Sequence, residues 1–471
     1  MLTIETIGHI DKYSVQQSAL MLLSRDITGH CISKLTVRDD TYIVTTRLSI
    51  NDVGAYSARP LGKTQRKLAP ALPTLEHKRQ LRELIRESFY RAYVAATGDA
   101  PAWGSLTGVK PASVASRLLK THKTPSKVLT ILQKQYHVSP RRADLCLQAA
   151  LASREYQAML QPNDISVYVG IPFCPSRCRY CSFVSQSTQR ELPLIEPYLQ
   201  ALYREIKQKA SLIAGNKQRI VNLYIGGGTP TVLSAVQLDA LLTKLACSLD
   251  LSSLREYTVE AGRPETCDDE RLRILRDHGV TRVSVNPQSM HQSVLDAIGR
   301  KHSVQDVYKA VETVRKIGFS ALNMDLIAGL PNDNLSGFQE TLGAVQAFAP
   351  ENITVHTMAN KKGATANRDA PIIPQNNSHP SRMLNHTLQA LPPQYHPYYL
   401  YRLKQMAENG ENVGWCKRGT ECGYNICIMD ELHTVIGLGA GAASKIHRRH
   451  GEIIRQANPK YPVDYIHRMN V

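Results

Sequence analysis

The clearest pattern in the chain is a series of six short apolar runs that begins just after Asp164. The runs are ISVYVGI, IVNLYIG, REYTVEA, TRVSVNP, LNMDLIAGL and ENITVHTM. Each is rich in β-branched or aromatic residues, which is typical of buried strands. Segments with helical spacing of apolar residues separate them. This alternation predicts parallel βαβ units with right-handed crossovers, and six units predict a partial barrel instead of the closed eight-unit form.

Helices are predicted between these strands at five places. They are Leu192–Ile213, Ala235–Leu249, Glu265–His278, Val304–Ile317 and Leu335–Phe348. In barrels of parallel strands the reacting groups lie at the carboxyl ends of the strands. We therefore expect the functional residues in the segments that directly follow the six runs.

The first 160 residues lack this alternation and predict a separate α/β domain. A strand is expected at Tyr42–Leu48, a polar, proline-rich stretch continues to Pro73, and a helix follows at His77–Ala96. Residues 361–381 are polar and rich in Pro and Asn, which predicts a linker. The expected division is an N-terminal basic domain, 1–160, a barrel, 161–360, and a linker with a C-terminal substrate-side module, 361–471.

Composition narrows the class of protein. With 42% hydrophobic residues the chain can bury a core, which excludes a wholly disordered protein. No run approaches the roughly 18 apolar residues of a membrane-spanning helix, and the first residues lack the basic and apolar regions of an export signal. We expect a cytoplasmic protein without a membrane span.

The chain is strongly basic, most of all near its start. It has 57 Lys and Arg against 40 Asp and Glu, a net charge of +17, and residues 1–160 carry 23 against 12. Such an excess indicates either a solvated basic face or an anionic partner, nucleic acid or a polycarboxylate. Aromatic residues are sparse in the basic segments, so a surface that stacks on bases is not indicated.

Three of the ten cysteines stand close together, as Cys174, Cys178 and Cys181, directly after the first apolar run. A large chain without an export signal sits in a reducing compartment, so disulfides are not expected. Closely spaced thiolates can hold zinc, hold an iron–sulfur cluster or form a redox pair. A cluster held by three cysteines leaves one iron free to bind and cleave a cofactor.

A zinc site would need further ligands downstream, usually a second cysteine or histidine pair. The late cysteines are the obvious source: Cys416, Cys422 and Cys427. Their spacing fits no common zinc pattern, and we expect them to be buried or incidental thiols.

At the clustered cysteines the sequence resembles the radical S-adenosylmethionine enzymes, whose loop is CxxxCx(aromatic)C. The loop here is IPFCPSRCRYC, and the next four strands end in GGGTP, TVEAGRP, VNPQSM and NMDLIAGLP, in the order of that superfamily. Together with PAWGSLTG, ITVHTMA and the late YYLYR, ENVG and GLGAGAASK, these motifs resemble the HemZ branch of oxygen-independent coproporphyrinogen III oxidases. The likeness covers essentially the whole chain.

The resemblance implies a 4Fe–4S cluster on Cys174, Cys178 and Cys181, which are also the catalytic cysteines. S-adenosylmethionine, as one or two molecules, would bind the fourth iron, and an electron from the cluster would cleave it to a 5′-deoxyadenosyl radical. The other cofactor contacts implied at matching positions are Tyr168, Tyr180, Gly227, Gly228, Thr229, Glu260, Gln288, Arg300, Asp325, Ala359 and Ala443.

The implied roles follow the residue types. Tyr180 would pack on the adenine, and the glycines would let the backbone approach the cofactor. Glu260 would accept from an amine or hydroxyl, and Gln288 and Asp325 from ribose hydroxyls. Arg300 suits a carboxylate because its guanidinium binds in a bidentate fork.

Other interpretations stay open for these residues. Glu260, Gln288 and Asp325 can be helix caps or loop ties, and Arg300 can form a surface ion pair. The glycines of GLGAGAASK imitate a phosphate-binding loop, but no nucleotide-binding strand–helix unit surrounds them. A compact turn is expected there.

The resemblance implies oxidative decarboxylation of two propionates of coproporphyrinogen III, giving protoporphyrinogen IX in anaerobic porphyrin and haem biosynthesis. The expected enzyme is a monomer that meets an unidentified electron donor and acceptor, with no nucleic-acid partner. Four propionates on the tetrapyrrole suit a basic protein. Candidate cations for them are Lys301, Arg402, Lys404, Lys445, Arg448 and Arg449.

Two positions depart from the best-known decarboxylase branch. Phe183 stands where that branch has a further cysteine, and Gly170 or its neighbour stands where it has a histidine. The related haem-carrier branch also lacks the extra cysteine and binds haem without decarboxylation. A radical enzyme that modifies RNA is a third class, which would account for the basic N-terminal segment.

Overall fold

A computed structural model of the chain describes residues 2–23, 28–50, 62–69, 74–108, 110–183, 186–187, 192–359, 379–403, 406–448 and 451–470. It divides into two compact units, Met1–Leu147 with Arg402–Gln405, and Gln148–Tyr401 with Met406–Val471. The division into three parts with boundaries at 160 and 360 stays a prediction.

The first unit is built on a four-stranded sheet in the order β1–β2–β3–β4. Its strands are β1 (Leu2–Ile7), β2 (Gly29–Arg38), β3 (Thr41–Ile50) and β4 (Gly62–Lys67). β1 and β2 are parallel, and the other two pairs are antiparallel. The helices are α1 (Lys12–Leu22), α2 (Thr74–Thr97), α3 (Pro111–His122), α4 (Pro125–Lys134) and α5 (Pro140–Met159), which continues into the second unit.

Two elements of this unit follow from the sequence, and others do not. The expected strand and helix are β3 and α2, and Leu84, Ile85 and Phe89 of α2 are buried against the sheet. β4 lies inside the stretch predicted as polar and proline-rich. Its sequence, GKTQRK, has no large apolar side chain, and its buried positions are filled by Gly62 and Thr64. A strand without alternating apolar residues cannot be identified from the hydrophobic pattern of the sequence.

The second unit contains the six predicted strands as parallel neighbours. They are β5 (Asp164–Ile171), β8 (Arg219–Gly227), β9 (Glu256–Val259), β10 (Arg282–Ser284), β11 (Ala321–Ala328) and β12 (Asn352–Thr357). Between β5 and β8, two short strands pair separately, β6 (Phe173–Cys174) and β7 (Gln186–Ser187). The expected partial (βα)6 barrel with an N-terminal α/β domain and a C-terminal module is confirmed.

The C-terminal module extends this sheet at both edges to eleven strands. Its strands are β13 (Tyr395–Tyr401), β14 (Asn412–Lys417), β15 (Val435–Leu438), β16 (Ala443–His447) and β17 (Ile453–Ala457). β14 pairs antiparallel with β12, whereas β15 pairs parallel with β5. The C-terminal residues thus reach the strand that leads into the cysteine loop.

The second unit contains all five predicted helices; four of them lie within three residues of their predicted bounds, and the helix predicted from Glu265 begins at Asp269. The helices of this unit are α6 (Ile195–Gly215), α7 (Ala235–Ser248), α8 (Asp269–Asp277), α9 (Gln292–Ala297), α10 (Val304–Ile317), α11 (Leu335–Ala347), α12 (Pro380–Ala390), α13 (Gly423–Asp430) and α14 (Pro462–Asn470). Ser234 and Ser303 form capping boxes before α7 and α10, and Gly318 ends α10 with a φ of +83°. The other four helices, α9, α12, α13 and α14, were not predicted, and α12 begins inside the predicted linker.

Most of the predicted linker, residues 361–378, lies outside the described residues, and residues 380–381 already belong to α12. None of the helices described is both long enough and apolar enough to cross a lipid bilayer.

Candidate functional site

The clustered cysteines lie on the loop that follows β5, at the carboxyl end of the barrel. Cys174 ends β6, Cys178 is buried, and Cys174 and Cys181 are half-buried. The hydroxyl of Thr229, which follows β8, donates to Cys174 Sγ at 3.5 Å. The loop therefore presents its thiols at the strand ends, as expected for this topology.

The cysteine loop is fixed to the GGGTP segment after β8. The N–H of Gly228 donates to the Ile171 carbonyl at 2.8 Å, and the N–H of Thr229 to the Phe173 carbonyl at 2.7 Å. A Cβ atom at position 228 would lie 2.4 Å from the Phe173 oxygen, so only glycine permits this approach. The small size of Gly228 thus serves a contact within the protein, and its N–H is already used.

A buried arginine that the sequence analysis missed faces the central cysteine. Nη1 of Arg263 lies 3.3 Å from Cys178 Sγ, and its Nη2 donates to Ser176 Oγ at 2.8 Å. Glu265 pairs with the same guanidinium at 2.6 Å. Arg263 belongs to the TVEAGRP motif, so its place at a strand end was the signal that could have found it.

Arg300 flanks the same cysteine from another side. Its Nη1 lies 3.9 Å from Cys178 Sγ and 3.3 Å from the Tyr180 hydroxyl. Nη2 donates to the carbonyls of Gly262 and Asn286. Burial opposes its charge, but Tyr180 and Cys178 raise the pKa of Arg300 above its ordinary value. Since Arg300 is 4% exposed, the surface ion pair is the wrong interpretation.

The groups around the cysteines fit an iron–sulfur cluster. The buried guanidinium groups of Arg263 and Arg300 lie 3.3 and 3.9 Å from Cys178 Sγ. Positive charge of this kind favours the thiolate form, which is the form that binds iron.

The late cysteines do not join this site. Burial raises the pKa of the Cys416, Cys422 and Cys427 thiols, as expected for buried structural cysteines. Cys422 donates to Glu256 at 3.1 Å.

Glu260 follows β9 and turns back to β8. Its Oε1 accepts from the Tyr224 hydroxyl at 2.6 Å, and its Oε2 accepts from the Gly227 N–H at 3.1 Å. Burial raises the pKa of Glu260 to about 7; the Tyr224 bond opposes this rise, and the charge of Asp325 adds to it. Glu260 therefore connects the segment after β9 to β8 through hydrogen bonds, and burial gives it a pKa of about 7.

Gln288, which follows β10, meets Asp325 of the neighbouring strand β11. The Gln288 N–H donates to the Asp325 carbonyl at 3.0 Å, and Gln288 has a φ of +68°. Its side-chain oxygen is buried and has no hydrogen-bond partner among the described residues. A buried polar atom of this kind normally finds a partner, so a ligand group fits here.

The contacts of the Asp325 carboxylate favour its ionised form. Its Oδ1 accepts from Asn323 at 2.8 Å, and His356 Nε2 lies 3.7 Å from its Oδ2. Burial alone would raise the pKa of Asp325, but the His356 and Asn323 contacts hold it below the ordinary value. Neither Asp325 nor Gln288 caps a helix, since α9 and α11 begin after His291 and Asn334.

The two predicted tyrosines lie in different surroundings. Tyr168 stacks with Tyr224 and Tyr424 inside the barrel, with ring centroids 6.1 and 5.8 Å away. Burial raises the pKa of Tyr168. Tyr180, on the cysteine loop, packs against the apolar cluster that contains Ile298. Tyr180 therefore accompanies the cysteines, and Tyr168 belongs to an aromatic layer inside the barrel.

The last two predicted contacts differ in position. Ala359 lies two residues after the end of β12, is buried, and pairs with Met406. Ala443 is exposed at the start of β16, where it neighbours Gly437 and pairs with Ala457. Within the described contacts, Ala443 touches no other predicted site residue.

The glycine-rich segment is a compact turn, as expected. Its amides are already used, because the N–H of Gly439 donates to Glu205 at 2.7 Å and that of Ala440 to the Tyr198 hydroxyl at 3.0 Å. A phosphate-binding loop needs free amides.

Two of the six candidate propionate-binding cations, Arg402 and Lys445, are already engaged within the protein. Arg402 is buried in the first unit, where it donates to the Leu106 carbonyl at 2.6 Å and lies 5.2 Å from the Trp103 ring centroid. Lys445 pairs with Glu431 at 3.2 Å. Lys301 and Arg448 are exposed, and Lys404 and Arg449 lie outside the described residues.

Comparison with known proteins agrees with this geometry. The model of the radical SAM superfamily matches residues 168–345. The oxygen-independent coproporphyrinogen-III oxidase-like protein HemZ of Bacillus subtilis (strain 168) is 34% identical over 405 residues, which are 84% of this chain and 80% of HemZ. The heme chaperone HemW of the same organism is 30% identical over 288 residues, 59% of this chain and 70% of HemW.

A solved structure shares the fold. Coproporphyrinogen III oxidase (HemN) from Escherichia coli superposes with a TM-score of 0.54 at 24% identity, covering 68% of this chain and 72% of HemN. The cofactors of the superfamily are a 4Fe–4S cluster and S-adenosylmethionine, as expected from the cysteine loop. The chain belongs to the radical SAM superfamily, in the family of HemZ and its coproporphyrinogen oxidase and heme chaperone relatives.

Proposed function

We propose that the protein is a radical SAM enzyme that converts two propionates of coproporphyrinogen III to vinyl groups by oxidative decarboxylation. The observation that carries the proposal is the set of buried acceptors on the three neighbouring strands β9, β10 and β11: Glu260 follows β9, Gln288 follows β10, and Asp325 lies in β11. Such a set provides acceptors for the amine and hydroxyl groups of a cofactor. The likeness to HemZ over 84% of the chain supports the choice of substrate.

Cys174, Cys178 and Cys181 would hold the cluster, and Arg263 and Arg300 beside Cys178 offset its negative charge. When bound, the cluster and S-adenosylmethionine supply a carbon radical that can take a hydrogen atom from an unactivated C–H bond. The protein's own contribution is to position that carbon and to keep water away.

The acceptors divide according to their charge. Asp325, whose pKa is lowered, offers a carboxylate at neutral pH, and the unpartnered oxygen of Gln288 offers a neutral acceptor. Both suit sugar hydroxyls. Glu260, whose pKa is raised to about 7 by burial, attracts a cationic amine only in its ionised form. Tyr224, which donates to Glu260, stacks with Tyr168 and Tyr424.

The substrate chemistry needs two redox partners. Each propionate loses a hydrogen atom from its β-carbon, carbon dioxide and one further electron, and a vinyl group remains. The cluster needs an electron donor, and the further electron needs an acceptor. We propose that both are separate molecules that meet the protein in turn.

Haem carriage is the second candidate, and the likeness to HemW favours it. Phe183 stands where the best-known decarboxylase branch has a further cysteine. Its side chain is 61% exposed and has no atom that could bind a metal ion. A Cβ atom at Gly170 would lie 3.1 Å from the Ala440 carbonyl, so a histidine there would require a shift of the glycine-rich turn. No described feature favours RNA modification at this site.

Loss of the cysteine thiols should abolish the cluster. Anaerobically purified protein should contain about four irons per chain and give a 4Fe–4S signal in electron paramagnetic resonance after reduction. Replacing Cys174, Cys178 and Cys181 with Ala should remove both. Cys247→Ala changes an exposed thiol outside the loop and should keep all iron. Full iron in the triple variant would refute the assignment.

Cofactor affinity should rise with pH through about 7. The raised pKa of Glu260 leaves it neutral below that pH, and a neutral carboxyl attracts the cofactor amine poorly. Glu260→Gln should weaken S-adenosylmethionine by about tenfold and flatten the pH profile, as measured by equilibrium dialysis. Glu312→Gln, at an exposed position on α10, is the control. A Glu260→Gln protein that keeps the wild-type pH profile would contradict this role.

The reaction itself separates the two functions. Anaerobic incubation with coproporphyrinogen III, S-adenosylmethionine, a reductant and an electron acceptor should give protoporphyrin after oxidation, together with 5′-deoxyadenosine. The triple cysteine variant should give neither product. Stoichiometric haem binding without conversion of coproporphyrinogen III would overturn the proposal in favour of the carrier.

A further inference from the structure

The first unit contains a cavity of about 400 Å³ with a strongly cationic wall. The wall includes five cations and one carboxylate: Lys78, Arg79, Arg82, Arg86, Arg117 and Glu83. Lys78, Arg82 and Arg86 follow one another at four-residue intervals, which places them on one face of α2. The volume lies within the range of small-molecule sites.

Part of this charge is already compensated. Three of the cations have carboxylate partners: Arg79 with Glu76, Arg82 with Asp11, and Arg117 with Glu83. Within the described residues, no carboxylate oxygen lies within 4.0 Å of the charged nitrogens of Lys78 or Arg86. Two positive charges on the wall therefore lack an ion-pair partner within the part of the chain that the structure describes.

The unfavourable effect of this arrangement is clearest in the lowered pKa of Arg86. Burial lowers the pKa of Arg86, because the carboxylates of Asp11 and Glu83 only partly offset the desolvation and Arg82 adds repulsion. The Nε atoms of Arg79, Arg86 and Arg117 are buried and have no hydrogen-bond partner in the described part of the chain. Unpaired buried donors and charges are unfavourable unless a ligand satisfies them.

We propose that this cavity binds a phosphate monoester. Such a group carries close to two negative charges at neutral pH, which matches the two uncompensated cations. Guanidinium groups bind phosphate oxygens in a bidentate fork. Leu75, Leu106 and Val114 also line the cavity and suit a small organic group attached to the phosphate.

This site is distinct from the cysteine loop, because all the lining residues belong to the first unit. The proposal therefore does not depend on coproporphyrinogen chemistry. The phosphate can be carried by a small metabolite or by the end of a nucleic acid, and both sources present the same dianion to the cavity.

Isothermal titration calorimetry with the full chain tests the proposal. Ribose 5-phosphate should bind, and ribose and citrate should not. Arg86→Gln should weaken ribose 5-phosphate by about tenfold, and Lys78→Gln, at an exposed position that does not threaten folding, by a smaller factor. Lys127→Gln removes an equal charge from an exposed position of α4 outside the cavity and should leave binding unchanged.

Two RNA oligonucleotides of one sequence, with a 5′-phosphate or a 5′-hydroxyl, identify the source of the phosphate. A preference for the phosphorylated form that Arg86→Gln and Lys78→Gln remove supports a nucleic-acid end. Ribose 5-phosphate bound at least as tightly supports a metabolite. The proposal is overturned if neither phosphorylated probe binds, if citrate binds equally well, or if Lys127→Gln weakens binding as much as Lys78→Gln.

Discussion

The close contact between the cysteine loop and the backbone after β8 is the constraint on which the site depends. Gly228 and Thr229 hold the carbonyls of Ile171 and Phe173 at 2.8 and 2.7 Å, and no side chain fits between the two segments. Because the cysteines follow directly, this contact sets where their thiols lie. The GGGTP segment is thus needed for packing within the protein itself, in addition to its implied contacts with the cofactor.

The charged side chains near that contact are separated by sign, with the arginines at Cys178 and the carboxyl groups on neighbouring strands. Two buried arginines face Cys178, Glu260 directly follows β9, and Asp325 lies within β11. Burial acts on both carboxyl groups with different outcomes: it raises the pKa of Glu260 to about 7, whereas the His356 and Asn323 contacts overcome it and hold the pKa of Asp325 below its ordinary value. A site with one fixed and one titrating carboxyl group suits a ligand with both neutral hydroxyls and a cationic amine.

Much of the barrel was predictable from the sequence, because its six strands are short apolar runs separated by amphipathic helices, and α10 begins and ends as predicted. The cysteines were found by their spacing, and the strand-end residues by resemblance. Arg263 was missed because an arginine in a motif does not reveal which sulfur it faces. β4 was missed because its buried positions hold Gly62 and Thr64. Ala443 matches a motif, yet its strand places it beside Ala457.

The most direct test of the central claim is the iron content of Gly228→Ala after anaerobic reconstitution. The added Cβ would lie 2.4 Å from the Phe173 carbonyl oxygen, so the cysteine loop must move away. Gly343→Ala, at an exposed helix position with nothing within 4 Å, is the matched control. The account predicts that Gly228→Ala loses most of its cluster while its far-ultraviolet circular dichroism stays that of the control. A full complement of iron in Gly228→Ala would contradict it.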